Sequence, residues 1–114
     1  MTDAEKIAEL EVRIAVLTDI LNTPVVEPFA LAAACEAKHQ RLRRGDQDDA
    51  AKDGFDWFWM LGYLGGKAAR AQNDGDIAKA LHHTVTAAAL LANWHRHLIF
   101  RRDAALSKHA GVAA

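Results

Sequence analysis

Asp56-Trp57-Phe58-Trp59-Met60-Leu61-Gly62-Tyr63-Leu64-Gly65-Gly66-Lys67 is followed downstream by His82-His83-Thr84-Val85-Thr86 and Asn93-Trp94-His95. Together these segments hold all three tryptophans, the single tyrosine, three of the seven glycines and three of the six histidines. A helical core needs only Leu and Ala, so this density of special residues points to a ligand site between two helices. Both segments carry helical periodicity, and Asn73-Asp74-Gly75-Asp76 between them reads as a turn with a helix N-cap at Asp76. The spacing predicts one helix over about residues 55–72 and another from Ile77 to beyond Phe100. Three glycines inside a helix cost on the order of 3 kcal/mol relative to Ala. Gly62, Gly65, Gly66 and Ala69 share one face, which is expected to meet Leu81, Val85, Ala88, Ala92 and Ile99 in a tight hairpin.

Working outward, the rest of the chain is also helical. Thr2 and Glu5 stand at capping-box spacing, and Ile7, Leu10, Ile14, Leu17 and Leu21 follow at 3-4-3-4 intervals. That pattern is either the seam of a short coiled coil or the buried stripe of a bundle helix. Asn22-Thr23-Pro24 ends the helix, and Glu27-Pro28 opens a second that runs toward Gly45. Arg41, Arg43 and Arg44, then Asp46, Asp48, Asp49, Asp53 and Asp56, read as a solvated loop; a metal or phosphate loop is the alternative. From Lys108 the tail is expected to fray. The fold expected is an all-α bundle of about four helices in one domain, residues 1–114, with 1–22 as a coiled-coil-like N-terminal helix and 108–114 as the frayed tail.

At 114 residues the chain buries roughly two-thirds of its unfolded surface. Twenty-four of the residues are Ala, so the core is thin and a homo-oligomer is the expected state. A net charge of -1 argues against a duplex-DNA binder. One cysteine, Cys35, excludes an intrachain disulfide and reads as a small core residue in a reducing cytoplasm. With no apolar run of about 18 residues and no signal-peptide pattern, neither membrane spanning nor secretion is expected.

Two polar stripes carry the candidate chemistry. The first helix of the pair presents Asp56, Tyr63, Lys67 and Arg70, with Trp59 beside them. On the second, His82, Thr86, Asn93 and His97 fall within about a 60° arc, flanked by His83 and Trp94. His82 and His83 diverge by about 100° and no His pair stands at i,i+4, so zinc is not expected, nor any other metal or cofactor. No nucleophilic triad assembles, so no catalytic residue is assigned.

Asp56–Trp94 resembles small phage and prophage helical proteins with a DWFW-x-x-GYL-x-GKA helix, a GD turn and an ALHHT-x-x-TAAAL-x-NWH helix, over about a third of the chain. More distantly the layout is similar to the all-α nucleotide pyrophosphohydrolases of the MazG type. Those enzymes hold Mg²⁺ with EExxE on one helix and ExxD on the next. Here the matching positions read Leu61-Gly62-Tyr63-Leu64-Gly65-Gly66-Lys67 and His83-Thr84-Val85-Thr86, with no carboxylate among them. The resemblance thus implies nucleotide binding with the two-metal chemistry lost or moved to Asp46–Asp56.

Trp59, Tyr63, Lys67, Arg70, His82, His83, Thr86, Asn93, Trp94 and His97 are therefore the expected ligand residues. Cations and imidazoles suit phosphate oxygens, and aromatic faces with an amide suit a base. The leading reading is a non-catalytic protein that binds a nucleotide or other phosphate-bearing small molecule, such as a phage protein sequestering a nucleotide signal in an anti-defence role. A divergent pyrophosphohydrolase using the Asp-rich loop and an oligomeric interaction module are the alternatives.

Overall fold

The computed structural model describes the backbone of residues 2–24 and 26–113, with side chains up to residue 108. Among these residues the fold is all helical: α1 Asp3–Asn22, α2 Val26–Arg44, α3 Asp46–Ala50, α4 Gly54–Asn73 and α5 Ile77–Ala113. The chain divides into two compact units within α2, Met1–Leu31 and Ala32–Ala114. No single helix among the described residues is long and apolar enough to cross a membrane.

In the first unit α1 starts where its cap predicts. The Thr2 hydroxyl oxygen accepts from the Glu5 N–H at 3.1 Å. No residue of α1 is buried.

The second unit contains the core. α4 ends in a Schellman pattern: the Asp76 N–H donates to Ala71 O at 2.9 Å and the Gly75 N–H to Gln72 O at 3.1 Å. Gly75 takes φ +80, a conformation that costs glycine nothing. Asp76 then accepts from the Lys79 N–H at 3.1 Å and starts α5, so α4 and α5 pack against each other across a minimal connection. Along α4 the seam is carried by Trp57, Leu61, Leu64, Ala68 and Ala71, at 4-3-4-3 spacing, all buried or half-buried.

The glycines do not form that seam. A Cβ added at Gly62, Gly65 or Gly66 meets nothing within 4 Å, so the expected backbone-to-backbone approach is absent. The physical reason is that Trp57 heads the buried stripe and rotates the glycine face outward. The acidic run also differs from the solvated loop expected. Asp46–Ala50 forms α3, and Asp53 and Asp56 form a capping box on α4 through bonds of 2.8 and 2.9 Å. Cys35 is exposed rather than packed in the core. α5 remains helical through Ala113, past the expected point of fraying; Ala114 lies outside the described residues.

Apart from Trp57 and Leu90 the buried apolar residues are alanines, so little shape complementarity holds α2 against α5. Two carboxamides do that work. Gln40 and Asn93 are 2% and 3% exposed. Asn93 Nδ2 donates to Ala37 O at 3.1 Å and to Gln40 Oε1 at 3.3 Å, while Gln40 Nε2 donates to Thr86 O at 3.2 Å. Arg41 closes the cluster by donating to Asn93 Oδ1 at 2.7 Å.

Two stability outcomes follow from this packing. Asn93→Leu leaves the Gln40 carbonyl without its donor and lowers unfolding stability by roughly 1–3 kcal/mol; Gln40→Leu combined with Asn93→Leu loses less than the sum of the two single changes. Denaturant unfolding of the four proteins measures this coupling. In the opposite direction, Gly65→Ala places a methyl in open space on an exposed helix and raises stability by about 0.4–1 kcal/mol in the same assay.

Candidate functional site

The ten expected ligand residues fall into three environments. Asn93 and Thr86 are buried and already bonded: Asn93 has both amide hydrogens and its oxygen engaged, and the Thr86 hydroxyl donates to His83 O at 2.9 Å. The central members of the polar stripe on α5 face the α2–α5 contact. These two residues are therefore structural.

Trp94 and His97 belong to an aromatic cluster around Trp57. The Trp57 and Trp94 rings are parallel within 2° at 6.3 Å between centroids, and His97 lies tilted at 5.6 Å from Trp57. Lys52 Nζ sits 5.0 Å from the Trp57 ring centre and bonds Asp48 at 2.6 Å and Asp49 at 2.9 Å. That hydrogen bond and the Lys52 charge hold the Asp48 carboxyl below its usual range. His97 also lines an open cleft of about 420 Å³ with Arg96, Phe100 and Arg101. Arg96 is occupied there, 3.5 Å from Asp46 and stacked over Phe100 at 4.5 Å.

The third environment lies at the turn between α4 and α5, where three of the remaining six residues meet. Lys67, Arg70 and His83 line an open cleft of about 410 Å³ with Lys79, Asp74 and Asp76. The helical spacing explains the gathering: Lys67 and Arg70 lie on the last turns of α4, and Lys79 and His83 stand at i,i+4 on the first turns of α5. Three cations thus face two carboxylates, one of which caps α5. Lys67 Nζ lies 4.5 Å above the Tyr63 ring, and Arg70 also lines an adjoining apolar groove with Phe58, Trp59, Gly62, Tyr63 and Gly66. Trp59 and Tyr63 are largely exposed there. His82 is exposed, its ring 5.5 Å from His83.

Lys79 was not among the expected residues, although its i,i+4 relation to His83 marks it on the same face. Partial burial, with the charges of His82, Lys67 and Lys79, holds His83 below the usual 6.5, against a smaller opposing pull from Asp76. The cleft therefore favours the neutral form of His83, whose ring can accept or donate a hydrogen bond there.

The acidic run offers no open carboxylate cluster. Asp46 faces Arg96, Asp48 and Asp49 face Lys52, and Asp53 and Asp56 cap α4. Among the described residues no three His, Cys, Asp or Glu side chains converge as a metal-binding group. Comparison with known protein families, curated proteins and solved structures finds no match to this chain.

The His83 environment has a measurable sign. A depressed imidazole pKa means the native state binds fewer protons than the unfolded chain between the two values, so this contribution is present above the usual pKa and is lost as pH falls through the folded one. In NMR titration of the histidine rings, His83 protonates at lower pH than an unperturbed imidazole, and Lys79→Ala moves it upward. A His83 titration unchanged by Lys79→Ala contradicts the assigned electrostatics.

Proposed function

We propose that this protein binds a nucleotide, or a closely related phosphorylated small molecule with a flat ring, without turning it over. The observation that carries the reading is the convergence of Lys67, Arg70, Lys79 and His83 on one cleft whose Arg70 wall continues into the Trp59–Tyr63 surface. Guanidinium and ammonium groups match phosphate oxygens, and an exposed aromatic face supplies sequence-tolerant stacking to a base. The cleft volume lies in the range of small-molecule sites. Absence of turnover is supported by the chemistry of the neighbouring residues. Metal-assisted phosphoryl chemistry needs carboxylates free to hold cations, and those of Asp46–Asp56 are engaged by Arg96, Lys52 and the α4 cap. Binding without hydrolysis suits a protein that sequesters or senses its ligand.

Calorimetric titration with nucleoside mono-, di- and triphosphates, cyclic nucleotides and inorganic pyrophosphate tests the proposal. Lys67→Ala, Arg70→Ala and Lys79→Ala each weaken nucleotide binding by about tenfold, more at low than at high salt. Trp59→Ala weakens nucleotides while sparing pyrophosphate, because it removes a ring contact without touching the cleft cations. Bound phosphate also raises the His83 pKa, since an added negative charge favours the imidazolium. No binding by any member of the panel, or parent-like binding by all four variants, overturns the reading.

A further inference from the structure

The first unit exposes an apolar face on α1. α1 is capped at its start by Thr2 and Glu5 and tied along its side by the Glu9–Arg13 pair at 2.8 Å. Yet Ile7, Leu10, Ile14, Leu17 and Leu21 each leave more than half of their surface exposed. They form one continuous stripe, since a 3-4-3-4 repeat keeps residues on the same side of a helix. We propose that this stripe is occupied by the α1 helix of a second copy of the chain, in a parallel, in-register two-stranded coiled coil.

Three features select that occupant and orientation. Assigning Ile7, Ile14 and Leu21 to the first core position of the heptad and Leu10 and Leu17 to the fourth puts Ile and Leu where parallel dimers prefer them, with Leu21 the one exception. Parallel pairing matches each residue with its own counterpart and keeps all five layers. Antiparallel pairing matches first with fourth positions, and with three of one and two of the other it retains only four layers. Charge agrees with this choice. Lys6 and Glu11 flank the seam on opposite sides, five residues apart, the separation that brings them together between parallel strands. Two-fold symmetry makes that ion pair twice. Of the two antiparallel registers that keep four layers, one sets Glu11 near Glu11 and Arg13 near Arg13 of the second copy, the other sets Glu11 near Thr18 and Arg13 near Ile20, and neither forms the Lys6–Glu11 pair.

The test uses the full-length chain in a Cys35→Ser background, which removes the exposed native thiol. Leu10→Cys is oxidised under mild conditions, and the parallel in-register pair yields a covalent dimer through that position, whereas antiparallel strands hold the two sulfurs apart. Sedimentation equilibrium on the chain without Leu10→Cys gives a reversible dimer, and Ile14→Asp makes it monomeric while far-UV circular dichroism and the melting of the remaining helices stay unchanged. Lys6→Glu and Glu11→Lys each raise the dimer dissociation constant by roughly fivefold at low salt, and combining them restores it. A monomer at every concentration up to millimolar overturns the proposal. So does a dimer that survives Ile14→Asp, which assigns self-association to another surface, and so does failure of Leu10→Cys to cross-link.

Discussion

The carboxamides of Gln40 and Asn93 are buried together, and a buried amide is stable only when its hydrogens and oxygen find partners. Here the partners come from two helices: Ala37, Gln40 and Arg41 on α2, and Thr86 and Asn93 on α5. Each bond demands a particular rotation and axial position of one helix on the other. An alanine-lined contact has no such demand, because small side chains slide past one another with little change in burial. In the unit formed by residues 32–114 the polar cluster therefore sets the register of α2 on α5. The Trp57–Trp94–His97 group performs the corresponding task for α4, using ring faces in place of hydrogen bonds.

Once those contacts fix α5, the cleft follows from chain geometry. α5 turns Asn93, Leu90 and Thr86 inward, which leaves Lys79 and His83 along its first turns at the edge of the α4 contact. The short Asp74–Asp76 connection brings the cationic end of α4 to the same place. Positive side chains thereby collect beside the start of a helix, where the aligned backbone dipoles add a further positive potential. The two carboxylates in the cleft moderate this charge, and partial burial with the neighbouring cations lowers the His83 pKa. The result is a cleft in which three cations face two carboxylates, with the His83 ring at its wall.

The helical elements were legible because their signals are local: Thr2 as a cap, Pro24 as a stop, and Asn73–Asp76 as a turn leading into the α5 cap. Asp53 and Asp56 stood at capping-box spacing too, but the density of aspartates masked that signal behind a loop reading. The α4 seam was also present in the chain, at Trp57, Leu61, Leu64, Ala68 and Ala71. The glycines form a more conspicuous pattern, but a glycine's cost does not say which neighbour, if any, requires it. Asn93 and Thr86 failed for a different reason. Periodicity assigns residues to a face but does not say whether water or another helix covers that face, and only the fold reveals that Gln40 stands opposite. Lys67, Arg70 and His83 share a cleft in the structure, whereas Trp94 and His97 stand apart in the aromatic cluster.

Dividing the polar residues of α5 between structure and ligand is the central claim, and a two-dimensional NMR titration with a nucleotide reads both halves at once. The account predicts saturable shifts in the backbone and ring signals of Lys67, Arg70, Lys79 and His83. The Asn93 side-chain amide protons remain unperturbed and slow to exchange, as expected of groups enclosed between α2 and α5. Shifts centred on Asn93 and His97 with the Lys67–His83 signals unmoved, or rapid exchange of the Asn93 amide in the free protein, contradict it.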